Sequence, residues 1–530
     1  MLFTSYSFII FIAILFVLYY LIPKRFQWIL LLIASYIFYA FAGVKFLLYI
    51  LTTTVSTYIA ARKIGELYDR QQEYLKEKKL ELSREDKKLY KASIKAKQWR
   101  LLLFCLLLNF GILFVIKYLN FTIVNINYVW GLFSKGQGLS FLTLALPLGI
   151  SFYTFQTMGY IIDVYRGKYP PEKNIFKLGL FVVFFPQLIQ GPISRFDDLA
   201  KTLYKEHSLD FRNISFGLQR ILWGYFKKLV IADRILIAVN TLIRDPGTYD
   251  GIYVLVGMLF YALQLYADFT GGIDITIGIA EVLGIKVKEN FIRPYFSKNI
   301  AEYWRRWHIS LGAWFTEYLF YPISVWKPML NFSKYARKHF GDRVGKRLPV
   351  YLASFAVWFI TGAWHGASWN FIVWGLMNYL VIMISEELKP LYAKFHETFS
   401  VKDKFLFRLF QVVRTVLLMS SIRMFDCYRD VPLTFKMFGS MFTKFNIGVL
   451  FDGSLLSLGL TMADYTVLII GLVLLIAVSL VGRKGSVREQ LAAKPRIFRY
   501  ATVYCVFMAV IILGAYGEGY DASQFIYNQF

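Results

Sequence analysis

Uncharged stretches long enough to cross a lipid bilayer recur from one end of this chain to the other. Runs free of Asp, Glu, Lys and Arg include 1–23, 26–44, 46–61, 101–116, 136–162, 178–194, 251–267, 348–385, 465–481 and 501–517. A helix needs about 20 apolar residues to span the hydrocarbon core. Two further stretches, 214–243 and 405–428, fit the pattern but are interrupted by charges. The 530 residues are 57% hydrophobic and 18% charged, against about 45–50% and about 25% in soluble domains, and the excess is spread along the chain. That excludes a disordered chain, a fibrous repeat and a soluble enzyme on a single anchor. The expected fold is an all-α polytopic membrane protein, one integral-membrane domain over 1–530.

The net charge of +26 would suggest nucleic-acid binding in a soluble protein. Here the basic residues cluster beside the apolar runs, 13 of them in 62–100, six in 334–347 and six in 483–499. Short basic segments flanking spans mark the cytoplasmic side, so no nucleic-acid partner is expected and membrane lipids are. The stretch 62–100 reads as a charged cytoplasmic linker, a solvated helical hairpin. With it inside, three preceding spans place the N-terminus outside. The basic stretch 483–499 then sends the last span outward. The tail 518–530, with Glu518 and Asp521 and no Lys or Arg, lies outside as well. Both termini are therefore expected to be extracytoplasmic in a multi-pass membrane protein. The uncharged start lacks a basic n-region and a small-residue cleavage site, and reads as a retained span. Cys105, Cys427 and Cys505 form no CxxC pair, so neither a disulfide framework nor a metal site is expected.

One region departs from the pattern. Residues 286–306 and 327–347 are both basic, yet 307–326 between them is apolar and aromatic. A segment with cytoplasmic signals on both flanks is re-entrant, and irregular backbone at membrane depth is tolerated only inside protein or beside a water-filled cavity. His308 lies in it. His365 lies in the 38-residue run 348–385, between Gly362 and Gly366; that run is too long for one span and reads as two, or as a broken helix, with the histidine at the joint. Ionisable groups inside spans are costly and functional by default. An imidazole, with an ordinary pKa near 6.5, is suited to general-base chemistry. No G-x-S-x-G elbow and no Cys/His or carboxylate cluster offers a nucleophile or a metal cage, so the expected action is activation of an external hydroxyl. Asp268 ends an uncharged run and reads either as an orienter of a histidine or as an interfacial helix cap.

Four stretches then carry a resemblance: FPQLIQGPISRF (185–196), LQLYADFTGGIDITIG (263–278), NFIRPYFSKNIAEYWRRWHISLGAWFTEYLFYP (290–322) and TGAWHGASWNFIVWG (361–375). Together, and in this order, they resemble the membrane-bound O-acyltransferases, in the bacterial branch of the alginate O-acetylation membrane protein and the teichoic-acid D-alanyl transfer protein. The resemblance implies a helical bundle with re-entrant segments around a central tunnel, a catalytic core in 286–385, His365 as the catalytic histidine and His308 as a second, supporting one. Trp304, Trp307, Trp364 and Asn370 would support the site or bind the donor. Arg305 and Arg306 suit either the phosphates of a pantetheine-bearing donor or anionic lipid headgroups.

The expected reaction moves a short acyl group, acetyl, from a cytoplasmic thioester (acetyl-CoA or an acyl-carrier protein) across the membrane to hydroxyls of an extracellular or cell-wall polysaccharide. No permanently bound cofactor is expected. An extracytoplasmic SGNH-hydrolase-like or related acyl-delivery protein would complete the transfer. D-alanyl transfer to teichoic acid, or transport of a polysaccharide or lipid with His365 as a proton relay, are the alternatives. The ending Phe525-Ile526-Tyr527-Asn528-Gln529-Phe530 resembles the F-I-Y-x-x-F ending of this family, in which Tyr527 would accept and relay the acyl group. It also suits an aromatic anchor at the outer interface.

Overall fold

The structure, a computed structural model, describes residues 3–133, 136 and 138–516. Every regular element among them is helical, as a backbone that must bond itself within lipid requires. The chain packs as two compact units, Met1–Phe211 with Leu283–Val287 and Arg212–Val282 with Lys288–Phe530.

The first unit holds α1 (Tyr6–Leu21), α2 (Gln27–Ala40), α3 (Leu47–Glu77), α4 (Arg84–Phe133), α5 (Ile150–Tyr165), α6 (Ile175–Val183), α7 (Phe185–Gln190) and α8 (Phe196–Leu203). The helical hairpin expected at 62–100 is present, but as the continuation of two spans: α3 and α4 run on unbroken to a turn where Lys78 pairs with Glu81 at 2.8 Å. The Gln98 side-chain amide donates to the Ile64 carbonyl at 3.0 Å and ties the two together.

Four of the uncharged runs hold no helix of span length: α1 and α2 have 16 and 14 residues, short of the about 20 that a crossing needs, and 136–162 and 178–194 are broken. In 136–162, regular structure starts only at Ile150, after Gly149 with φ 67°. A Cβ on Gly149 would fall 2.5 Å from the Leu188 carbonyl oxygen. Run 178–194 breaks at Phe184, and Pro186 opens the next short helix. From Ile150 onward, and through 178–193, these residues are largely buried in protein, whereas 138–146 is exposed; an uncharged run signals an apolar environment without saying whether lipid or protein supplies it.

The second unit begins with α9 (Phe211–Tyr225), a π-helical stretch at Phe226–Ala232 and α10 (Asp233–Arg244), followed by α11 (Ile252–Val282). Gly217 and Gly224 of α9 face Gly278 and Gly271 of α11, and a Cβ on any of the four would come within 2.6–2.9 Å of the opposing glycine carbonyl. Small residues at this spacing let the two backbones touch, as in membrane helix pairs generally. The charges that interrupt 214–243 are then satisfied internally. Lys227 Nζ reaches Asp274 at 2.6 Å and donates to the Thr270 hydroxyl at 2.8 Å. Lys228 Nζ lies 2.6 Å from both Asp268 and Asp233. Asp268, fully buried in the middle of α11, is therefore not an interfacial cap, and Lys228 is one partner of its carboxylate.

The remaining helices are α12 (Ile300–Arg306), α13 (Ile309–Phe315), α14 (Tyr321–Ser324), α15 (Lys327–His365), α16 (Trp369–Glu387), α17 (Lys389–Thr398), α18 (Phe405–Tyr428), α19 (Val431–Thr443), α20 (Met462–Val481), α21 (Val487–Ala492) and α22 (Arg496–Leu513). Stretch 300–326 is thus broken into pieces too short to cross. The long run 348–385 is broken as expected, α15 ending at His365 and α16 starting at Trp369. The basic stretch before it is itself helical, joined to α15 across a kink at Gly341. Among the described residues, seven helices (α3, α4, α11, α15, α18, α20 and α22, some with a flanking turn) are long and apolar enough to span, and α16 with α17 forms a pair bent by 49°. The protein is a multi-pass membrane protein.

Candidate active site

His365 ends α15 because Gly366 and Gly362 allow a sharp reversal. A Cβ on Gly362 would lie 2.5 Å from the Phe371 carbonyl, and one on Gly375 would lie 2.4 Å from the Trp358 carbonyl. Without side chains at these points α15 and α16 meet backbone to backbone, and the imidazole at the joint is turned into the protein, 8% exposed.

His308 precedes α13 in a left-handed conformation, φ 48° and ψ 53°, which is uncommon for a bulky residue and persists only where the surroundings enforce it. Here Asn290 enforces it. The Ile309 amide donates to the Asn290 carbonyl at 3.0 Å, and the Ser310 amide and hydroxyl both donate to Asn290 Oδ1, at 3.0 and 2.9 Å. With its oxygen engaged by two donors, the Asn290 side chain presents Nδ2 to His308 Nδ1, 3.4 Å away. That arrangement assigns Nδ1 as acceptor and leaves the proton on Nε2.

Both histidines line one cavity of about 470 Å³, together with Trp304, Arg305, Trp307 and Thr361 among others. The Trp364 ring stands between them, its centroid 5.9 Å from that of His308 and 5.0 Å from that of His365. Trp307 is stacked on Tyr303 and buried. The Trp304 indole donates to Asn378 Oδ1 at 3.2 Å. Of the two arginines, exposed Arg305 lines the cavity, while Arg306 turns back on its own helix to Glu302 at 2.5 Å and to the Arg293 carbonyl at 3.4 Å. Buried Asn370 accepts from Ser368 at 2.5 Å and donates to the Phe425 carbonyl at 3.1 Å, joining α16 to α18. Its place is behind the site. Tyr527 lies outside the described residues.

Reading the sequence missed Asn290, Trp374 and Arg423. Asn290 opens one of the family-like stretches, and its pairing with His308 and Ser310, 18 and 20 residues away, has no periodic signature. Asn290→Ala is expected to lower acyl transfer about tenfold, because the loss of one buried hydrogen-bonding anchor, about 1–2 kcal/mol, frees the His308 tautomer and the strained turn. Rate measurements on Asn290→Ala beside His308→Ala check this, the Asn290→Ala loss being expected not to exceed that of His308→Ala.

Residues 170–428 match the membrane-bound O-acyltransferase family. A probable alginate O-acetylase of Azotobacter vinelandii is 33% identical over 393 residues, 73% of this chain and 69% of that protein. A peptidoglycan O-acetyltransferase of Helicobacter pylori is 34% identical over 319 residues, 55% of this chain and 56% of that protein. A teichoic acid D-alanyltransferase of Bacillus subtilis is 31% identical over 240 residues, 44% of this chain and 56% of that protein. The alginate relative from Pseudomonas syringae pv. tomato is likewise covered over 66% of its length. The family match over 170–428 takes in the stretches that carry both histidines and the cavity around them, and with relatives at this identity and coverage the chain belongs to the membrane-bound O-acyltransferase family.

Proposed function

We propose that the chain transfers acetyl from a cytoplasmic thioester to hydroxyls of an extracytoplasmic or cell-wall polysaccharide, with an SGNH-hydrolase-like delivery protein outside. The observation that carries this reading is the shared cavity: a histidine at a helix break and a second, tautomer-fixed histidine face the same space. His365 takes the proton of the acceptor hydroxyl as that oxygen bonds to the thioester carbonyl carbon. The electrons displaced onto the carbonyl oxygen are met by the Nε2–H of His308. Collapse breaks the C–S bond, and the leaving thiolate recovers the proton from His365. Arg305, exposed on the cavity rim, suits the phosphates of the donor. Two relatives named for acetyl transfer to polymers support acetyl; D-alanyl transfer rests on a match over a smaller share of the chain.

Membranes carrying the full chain and supplied with labelled acetyl-CoA test the reading. Base-labile label on surface polymer is expected with the wild type and not with His365→Ala; label from D-alanine instead would replace the donor. Direction is tested by cysteine labelling. With the exposed Cys505 removed, Ser93→Cys and Gln490→Cys are expected to react only after permeabilisation and Ser523→Cys in intact cells; protection of position 523 would overturn the outward tail.

In the same reading Tyr527 is the first acceptor. A phenol with an ordinary pKa near 10 is a poor nucleophile at neutral pH, and a histidine base removes that obstacle. Tyr527→Phe keeps the ring and removes one oxygen, so glycan acylation is expected to vanish at normal protein abundance. Full acylation would leave only an anchor.

A further inference from the structure

Behind the aromatic wall of the cavity, α18 presents Arg423, 4% exposed. Its guanidinium carbon lies 4.7 Å from the ring centroid of Trp374, 5.2 Å from that of Trp307 and 5.7 Å from that of Trp304. These tryptophans sit on α16, beside His308 and on α12. Trp304 and Trp307 line the cavity, and the Trp374 ring packs 4.6 Å from that of His365. The nearest carboxylate, Asp426, one turn along α18, is 3.6 Å away, longer than a hydrogen bond. Tyr303 also faces the guanidinium, so the rings of the three tryptophans share in holding it with Tyr303 and Asp426. A delocalised planar cation can lie against several ring faces at once, which a compact ammonium cannot. An apolar side chain of similar volume would fill the space without burying charge, so packing alone does not account for an arginine.

We propose that Arg423 is a positioning residue: by cation–π contact with Trp304, Trp307 and Trp374 it fixes the wall against which the His308 and His365 imidazoles stand. The inference rests on the reading of these two histidines as the acyl-transfer pair. It assigns to α18, a helix that contributes nothing to the cavity lining, control over the geometry of the site.

The test measures carbethoxylation of His308 and His365 by diethyl pyrocarbonate in the purified full chain, resolved by peptide mass spectrometry and normalised to exposed His339. Wild type is compared with Arg423→Lys, which keeps the charge beside Asp426, and with Arg423→Met/Asp426→Asn, which leaves no buried charge unpaired. Both variants are expected to keep the wild-type melting temperature while both histidines react roughly fivefold faster or more, as a locally opened wall allows. Unchanged rates, or rates that rise only where melting falls, would overturn the positioning role. Acetyl-CoA cleavage by the same preparations keeps the two readings apart. Wild type that leaves acetyl-CoA intact counts against the donor proposed above, while the histidine rates still decide on Arg423. Where wild type cleaves it, Arg423→Lys is expected to lose about tenfold in kcat with KM within about twofold, and a wild-type kcat in that variant overturns the proposal.

Discussion

His365→Ala is expected to abolish surface acylation, a loss of about 10²–10⁴-fold in rate, the range that a positioned general base contributes, at unchanged abundance in the membrane. The substitution removes the ring at a helix end whose fold is set by the glycine contacts of Gly362 and Gly375 rather than by the imidazole, so chemistry and folding separate. His308→Ala is expected to cost less, about 10- to 100-fold, because a hydrogen bond to developing charge is lost while the base remains. Wild-type ester content in His365→Ala would end the mechanism given above. An inactive His308→Ala beside an active His365→Ala would exchange the two roles.

Lys228→Met is expected to remove the protein from the membrane fraction or to lower its melting temperature sharply. Lys228 bridges Asp268 and Asp233, all three nearly or fully buried. Removing one partner of a buried ionic cluster leaves uncompensated charge at a cost of about 3–5 kcal/mol, comparable to the whole stability of many domains. Exposed Lys494 supplies the control, since Lys494→Met is expected to change nothing. Thermal unfolding and membrane abundance measured side by side check it; a Lys228→Met protein that melts with the wild type would show the cluster to be dispensable.

Asp268 and His365 are conspicuous in the sequence for the same reason. A titratable group in a long uncharged run is conspicuous because nothing local can compensate it, and this is why His365 and His308 stood out. Asp268 stood out equally. Its counter-charge, though, is Lys228, 40 residues earlier in a stretch read as an imperfect span because it contains lysines. Each charge looked like an anomaly alone, and only the pairing of α11 with the π-helical stretch shows that they cancel. Arg423 was passed over for the opposite reason: it falls in a run already discounted for its charges, and the tryptophans that surround it lie 49 to 119 positions away in sequence. The helical class, the hairpin of α3 with α4 and the break at His365 were legible because they follow from local composition. The burial of 150–162 and 178–193 was not, because hydropathy does not tell lipid from protein.

The π-helical stretch at Phe226–Ala232 bears on how this chain should be compared with others. A π-bulge holds about one residue more than the α-helix it interrupts, and one residue turns a helix by about 100°. A relation that lacked the extra residue would align with a one-position gap in mid-helix, where gaps are ordinarily treated as mistakes. Forcing that gap shut would slide every following residue of α10 out of phase, matching the equivalent of Asp233 to a neighbour on another face of the helix. The loss or retention of a single residue between Phe226 and Ala232 is thus a readable character in the history of such chains, and it should travel with the presence of two adjacent lysines and the aspartates that receive them.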